Sequence, residues 1–396
     1  MKQSDINNSN INKNNINKSN INIRRAALSD MAAVLEIYED ARQYMKEQGN
    51  TEQWRDNYPA PQLVENDINS GNCYVYEKDN EIGGVFYFAI GNDPVYNNIA
   101  EGEWRNDRQY GVVHRIAVGK NFHNQGIAGN CIAYVVGECK KNNIYDIRMD
   151  THSANLPMQG FLEKQDFRKC GRVYVEDGSE RIAYHKIIIR NVVFDIGQVL
   201  LEFDWKKFIG DMNISEEKKE QLAHVTLGNI PHWNEHDRGM SDEDFVQKSL
   251  LIEPDIKEEL KYYLEHIGTI AREYDHSVPL IRSLKAQGYG VYLLSNYGVT
   301  PFRYAKEHMK FFDEVDGMII SHEVGVIKPE PEIYKLLFER YGLVPEECVF
   351  IDDRADNIAA AEDMGMSGIV FEDIEQVKKE LERMLGNGIK SGEKCQ

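Results

Sequence analysis

The sequence predicts an α/β chain of two domains, a mixed α+β half followed by a parallel, doubly wound sheet that carries a helical insertion. Three observations lead there. A length of 396 residues gives room for two or three domains at roughly 150 residues each. The first half mixes strand-like and helix-like patterns without a fixed order. After Lys186 apolar runs alternate with amphipathic stretches, the pattern of strand–helix–strand units that build a parallel sheet.

Composition bounds the function. Hydrophobic residues make up 42% and charged residues 28%, ordinary values for a globular chain. A net charge of -19 repels polyanions, which argues against nucleic acid or an anionic membrane surface as partner. No segment approaches the roughly 18 consecutive apolar residues of a membrane span, and the N-terminus has no apolar core resembling a secretory signal, so the cytoplasm is expected. Cys73, Cys131, Cys139, Cys170, Cys348 and Cys395 form no CxxC pair and no zinc-like spacing with histidine, and read as reduced thiols.

Residues 1–22 repeat Asn with Ile, Lys and Ser, too polar and monotonous to bury a core, and are expected to be a disordered arm. From Ile23 to residue 187 the mixed domain begins with a strand, then a helix signalled by Ser29 and Asp30 ahead of Met31, Val34, Leu35 and Tyr38. Strands follow at 73–77, 82–90 and 111–118, the last running into an Asn/Gly turn and a helix that starts near Gly126. IYDIRMD, a short helix near 155–165 and the strands RKCGRVYV and RIAYHKI close this half. The second domain, 188–388, has apolar strand runs beginning with IIIRNVVFDIG and continuing with YGVYLLSN, GMIIS, CVFIDD and SGIVF, with a helical cap inserted at about 204–275.

In the second half Asp195 ends the first strand, Ser295 and Asn296 end the next, Lys328 opens IKPEPEIY, and Asp352, Asp353 and Asp356 follow a later strand. Ligands bind at the carboxyl edge of such sheets. Phosphoryl transfer needs these groups: a carboxylate to attack phosphorus, oxygen ligands for a hard cation, and a lysine to orient both. Over residues 190–372 the motifs FDIGQV, LLSN, IKPEPEIY and FIDDRADNI resemble those of the haloacid dehalogenase-like superfamily, whose Rossmann-like parallel sheet is then implied. The resemblance implies Asp195 as nucleophile forming an aspartyl-phosphate, with Ser295 and Lys328 as its catalytic partners. It also implies Mg2+ held by Asp195, the Gly197 carbonyl and Asp352, supported by Asp353 or Asp356. Phosphatases of that superfamily usually carry a second Asp where Gly197 stands, so protonation of the leaving group is unassigned. FDxGxV is similar to a subgroup containing phosphatases like α-D-glucose-1-phosphate phosphatase, which makes a sugar phosphate the first substrate class. Asn296 and Trp233 are candidate substrate contacts, as are the cap residues Glu235, His236, Asp237 and Arg238.

In the first half the run HNQGIAG, 123–129, presents successive backbone N–H groups where a helix begins, a setting that favours an anion. Over residues 22–187 this half resembles GNAT-type acyl-CoA N-acyltransferases, with HNQGIA in place of Gln/Arg-x-x-Gly-x-Gly/Ala. Acetyl-CoA is then implied, its pyrophosphate on Gln125, Gly126, Ile127, Ala128 and Gly129 and its arm beside strand 113–118 up to Val118, while Asn155 matches the family's Asn before its last helix. The tyrosine that often protonates the departing thiolate is replaced by Leu162. His114, Asp150 and His152 are candidate proton acceptors, and Trp54 and Tyr58 candidates to line the amine pocket.

The expectation is a bifunctional enzyme, an acetyl-CoA-dependent N-acetyltransferase joined to a Mg2+-dependent phosphatase, acting on a small amine and a small phosphate ester. Leu162 keeps open a non-catalytic acyl-CoA-binding domain that regulates the phosphatase. Gly197 keeps open a haloacid dehalogenase or a phosphate-binding domain without turnover, although three clustered carboxylates suit metal-assisted phosphoryl transfer better than carbon–halogen displacement.

Overall fold

A computed structural model describes residues 21–55 and 57–385. The chain divides into two compact units that part between Lys186 and Ile187.

The first unit is built on a seven-stranded sheet. Its elements are β1 (Ile21–Arg25), α1 (Met31–Glu47), α2 (Pro61–Asn69), β2 (Cys73–Lys78), β3 (Glu81–Ile90), β4 (Gly111–Val118), α3 (Ile127–Lys141), β5 (Asp146–Thr151), α4 (Leu156–Lys164), β6 (Arg168–Tyr174) and β7 (Glu180–Ile187). The spatial order is β1-β2-β3-β4-β5-β7-β6. Pairing is antiparallel from β1 to β4, while β4 and β5 run parallel. The Asn-rich arm expected at 1–22 lies outside the described residues up to 20, and its last two residues are corrected: Ile21 and Asn22 pair with Lys78 and Glu77 and belong to β1. Compositional bias did not decide there, because the edge of β2 offers these two residues ladder hydrogen bonds. Val34, Ile37 and Tyr38 of α1 and Val64 and Ile68 of α2 pack on Val75, Val85 and Ala117 of the sheet.

The second unit has a five-stranded sheet of order β12-β11-β8-β13-β14, parallel throughout. It begins with β8 (Asn191–Phe194) and β9 (Leu201–Glu202), then five helices, α5 (Trp205–Asp211), α6 (Glu216–Val225), α7 (Ile230–Asp237), α8 (Asp242–Ser249) and α9 (Lys257–His266). The short strand β10 (Arg272–Glu273) pairs antiparallel with β9 and closes this helical insertion at its base. Then come α10 (Ser277–Ala286), β11 (Gly290–Ser295), α11 (Val299–His308), β12 (Gly317–Ile320), α12 (Ser321–Val324), α13 (Pro331–Tyr341), β13 (Cys348–Asp352), α14 (Ala355–Asp363), β14 (Ser367–Val370) and α15 (Ile374–Leu385). The apolar runs are continuous because both faces are covered. Val192 and Phe194 pack with Leu280, Leu284 and Leu381, while Val193 and Phe350 pack with Tyr334, Leu337 and Ile358. The insertion has its own core, in which Trp233, Phe245, Leu260 and Tyr263 are buried. Among the described residues no helix is long and apolar enough to cross a membrane.

Candidate active sites

In the second unit Phe194 stands in register with Leu293 and Ile351. The residues that end β11 and β13 and follow β8 therefore meet at one sheet edge. Asp195 is tied there by its own N–H, which donates to the Ile351 carbonyl at 2.8 Å. Lys328 reaches in from the segment before α13. Its ammonium lies 2.8 Å from Asp195 Oδ1 and 2.6 Å from Asp352 Oδ2, with the lysine side chain 1% exposed. Burial acts to lower the Lys328 pKa, but the two carboxylates outweigh it and hold the group charged. Burial pushes Asp195 up to about 6; Lys328 pulls it down and Asp352 pushes it further up.

Asp352 is aimed by its surroundings. It accepts the Arg354 N–H at 2.8 Å, and the Asn357 amide donates to its two oxygens at 3.0 and 3.1 Å. Asp195, Asp352 and Asp353 each present an oxygen within 4.8 Å of the others. Such an all-oxygen donor set fits a hard divalent cation.

Several expected site residues sit elsewhere or are otherwise engaged. Asp356 is not part of this group: it lies on the first turn of α14 and turns outward to a bidentate ion pair with Arg354, at 2.6 and 3.1 Å. The Asn296 amide is spent on the backbone of Lys328, accepting its N–H at 2.7 Å and donating to its carbonyl at 3.0 Å. It clamps the lysine segment rather than facing a substrate. Trp233, expected at the substrate, is 4% exposed inside the cap core, edge-on to Phe245 at 5.5 Å, because its apolar ring is worth more there than at a wet cleft. Ser295 is buried at the end of β11, and a side chain built on Gly197 would meet nothing within 4 Å.

In the first unit the ladder between β4 and β5 covers Gly111 and Val112 against Ile147 and Arg148, and among the described residues the strands part beyond it. The turn after β4 leads to Gly126, whose φ of 75° is left-handed, a conformation that glycine adopts without strain. The first helical bond of α3 runs from Asn130 N to Gly126 O. The amides of residues 127–129 precede it and point along the helix axis, an anion cradle. The Gln125 side chain accepts from Lys78 at 2.9 Å and donates to the Asn121 carbonyl, and His123 Nε2 is 3.2 Å from the Val118 carbonyl. Asn155 caps α4 by accepting the Met158 N–H, and its amide donates to Gln53 at 2.7 Å. Trp54 stands edge-on to Tyr38 at 5.7 Å. Leu162 is wholly buried.

Where β4 and β5 begin to part, His114 lies between two carboxylates, 2.7 Å from Asp93 and 3.5 Å from Asp150. Tyr96 donates to Asp150 at 2.8 Å. Burial acts to lower the His114 pKa, yet the pairing with Asp150 and Asp93 raises it to about 9. A protonated imidazole accepts no proton, so His114 is corrected from a candidate base to a fixed cation at neutral pH. His152 is held neutral by burial, but its Nδ1 accepts the Ala154 N–H at 3.1 Å, which leaves the proton on Nε2. Asp93 was not singled out from sequence; the Asp-Pro pair that opens its turn was the available signal. Asn357 was missed too, since an amide five residues past Asp352 reveals its partner only once α14 is folded.

Residues 189–365 match the haloacid dehalogenase-like hydrolases, and residues 32–167 match the GNAT family of acetyltransferases. The chain joins a GNAT domain to a haloacid dehalogenase-like domain. The haloacid dehalogenase-like domain is similar to a sesquiterpene phosphatase of Aspergillus oryzae, 27% identical over 49% of this chain and 95% of that protein. It is also similar to a D-ribitol-5-phosphate phosphatase of Bacteroides thetaiotaomicron, 26% identical over 45% of this chain and 89% of that protein. Other relatives are matched in part: the chain spans 60% of a flavin mononucleotide hydrolase of Arabidopsis thaliana and 13% of a bifunctional epoxide hydrolase 2 of Rattus norvegicus. Among solved structures, an acetyltransferase of the GNAT family from Streptococcus agalactiae is 31% identical over 42% of this chain and 95% of that one, with a TM-score of 0.38. Both domains belong to enzyme families.

Proposed function

We propose that the second unit is a Mg2+-dependent phosphatase that acts through Asp195 on a small phosphorylated metabolite, a sugar phosphate first among them, and that the first unit transfers acetyl from acetyl-CoA to a small amine. The observation that carries the phosphatase is the buried Lys328 ammonium seated between Asp195 and Asp352 beside a third carboxylate, Asp353. The ribitol-phosphate phosphatase among the relatives supports the sugar-phosphate class.

Asp195, Asp352 and Asp353, with the Gly197 carbonyl, would hold the cation, which neutralises phosphoryl charge and shields the nucleophile from it. Asp195 attacks phosphorus, and its burial at the end of β8 fixes the line of attack. Lys328 keeps the attacking carboxylate ionised and oriented and meets the phosphoryl oxygens. Ser295 ends β11 at the same edge and offers a hydroxyl donor to those oxygens. Water then cleaves the aspartyl-phosphate. In the first unit, the amides of residues 127–129 would cradle the pyrophosphate of acetyl-CoA, and the parting of β4 from β5 gives its arm a place between strands.

The test is phosphate release from a panel of sugar, polyol and nucleotide phosphates with Mg2+, run beside Asp195→Asn. Mg2+-dependent release that disappears in the variant supports the phosphatase; no release from any ester refutes it. For the first unit, thiol release from acetyl-CoA over a panel of amines supports transfer, and binding of acetyl-CoA without release from any amine points to a regulatory domain.

A further inference from the structure

Resting on the phosphatase reading, we infer that Asp237 of the cap supplies the proton to the leaving group and takes one from the attacking water, the task that Gly197 cannot perform.

The structure fixes the end of α7 onto the catalytic sheet edge at several independent points. The Asp237 carbonyl accepts the Ser321 hydroxyl at 2.6 Å, and Ser321 in turn accepts the Tyr297 N–H at 2.9 Å, directly after Asn296. Arg238 makes a bidentate pair with Glu330, two residues past Lys328, one arm of it at 2.8 Å. His236 lies 2.7 Å from Asp242, which accepts Thr300 at the start of α11, and a Cβ on Gly298 would stand 2.4 Å from the His236 ring. A Cβ on Gly239 would stand 2.8 Å from the His322 carbonyl. These contacts leave the segment no freedom to swing out without breaking several hydrogen bonds together.

The carboxyl of Asp237 is thereby held buried, 7% exposed, with the Trp233 indole N–H donating to it from one turn earlier. The charges of Asp195 and Lys328 are felt at Asp237, and the buried phenol of Tyr297 feels both Asp237 and Asp195. The titratable groups coupled to it electrostatically are Asp195, Lys328 and Tyr297 from the catalytic domain, Tyr263 from α9, and His236 beside it. Burial raises the Asp237 carboxyl to about 7, with His236 and Trp233 opposing and Asp195 adding to the rise. A carboxyl near neutrality gives and takes a proton with comparable ease. Meanwhile the space at Gly197 is open: a side chain there would meet nothing within 4 Å. Gly197 offers the leaving oxygen no acid, and the nearest cap segment tied to this edge carries the buried carboxyl of Asp237.

The steps balance. An Asp195 oxygen bonds to phosphorus as the bond from phosphorus to the leaving oxygen breaks; that oxygen keeps the electron pair and takes the Asp237 proton. A water then passes a proton to the Asp237 carboxylate as its oxygen bonds to phosphorus, the bond to Asp195 breaks, and phosphate leaves with the enzyme restored.

The experiment compares Asp237→Asn with wild type on aryl phosphates running from p-nitrophenyl to unsubstituted phenyl. p-Nitrophenolate departs without protonation, whereas phenolate needs the acid. The inference predicts a loss on the order of 10²–10⁴-fold with phenyl phosphate and a far smaller loss in the first turnover of p-nitrophenyl phosphate. It also predicts a burst of p-nitrophenol followed by aspartyl-phosphate accumulation, because the base for the second step is gone. Asp237→Asn slowing both esters alike, which includes loss through misfolding of the cap, or slowing neither, overturns it; Asp237→Glu regaining phenyl phosphate turnover supports it. A wild-type protein inactive on every ester instead removes the phosphatase reading itself and the proton donor with it.

Discussion

Replacing Lys328 by Met tests the electrostatic centre of the second unit, because the lysine is the counter-charge for two buried carboxylates. Its ammonium stands 2.8 Å from Asp195 and 2.6 Å from Asp352, whose side chains are 11% and 0% exposed. Removing one partner from such a buried arrangement costs about 3–5 kcal/mol, since Met fills the volume and leaves the charges facing each other. The loss depends on pH in a definite direction. Burial already lifts the Asp195 carboxyl to about 6, and Lys328 is the group that pulls it down. Without Lys328 it rises further above its unfolded value of roughly 3.9, so the folded variant binds a proton that the unfolded chain does not. Its penalty is therefore complete well above the raised folded value and shrinks as pH falls through it, by roughly 1.4 kcal/mol per unit of pKa difference. Amide exchange of peptides from β8, β11 and β13, read by mass spectrometry in EDTA at pH 8 and pH 5.5, measures this directly. Lys328→Met should lose about 3–5 kcal/mol of protection at pH 8, regain part of it at pH 5.5, and regain most of it at pH 8 when combined with Asp352→Asn. A variant within 0.5 kcal/mol of wild type at pH 8, about the usual size of a surface effect, would refute the reasoning.

Three further outcomes follow from the same geometry. The pairing of His114 with Asp150 and Asp93 raises its pKa to about 9, so its stabilisation is complete below the unfolded value of roughly 6.5 and is lost as pH rises through about 9. Urea unfolding of the first unit should weaken over that window by up to roughly 3 kcal/mol, and His114→Gln should flatten the profile; an unchanged profile would contradict the pairing. Gly126→Val forces a β-branched residue into a left-handed φ of 75° at about 1–2 kcal/mol and distorts the amides that follow, so calorimetry should show weaker acetyl-CoA binding, whereas unaltered affinity would remove α3 from the cofactor site. Asn296→Leu leaves the N–H and carbonyl of Lys328 without their partner, costing about 1–3 kcal/mol, and should lower kcat by loosening the lysine; full activity would show that the clamp is dispensable.

Much of this arrangement is legible in the sequence because strand ends are local features. An apolar run that stops at Asp195, Ser295 or Asp352 announces both a strand and the residue at its carboxyl edge, and a parallel sheet brings those edges together. Where side chains point is set by what packs around them, and there spacing alone misleads. Asp356 is only four residues from Asp352, but one helical turn and Arg354 carry it outward. Trp233 and Asn296 look like recognition residues, yet the first completes the cap core and the second holds a backbone segment 32 residues away. The tie between Asp237 and the sheet edge rests on contacts 84 to 92 residues distant in sequence, beyond the reach of any local pattern. In the first unit, the glycine turn before α3 was visible, while the carboxylate pair around His114 joins loop and strand residues that no short motif connects.

The most direct test of the central claim is acid-quench trapping with p-nitrophenyl phosphate and Mg2+, followed by peptide mass spectrometry. The prediction is a phosphoryl group on Asp195 that forms within the turnover time, needs Mg2+ and is absent from Asp195→Asn. Turnover with no phosphorylated Asp195, or with the label on another residue, would contradict the nucleophile assigned to the end of β8.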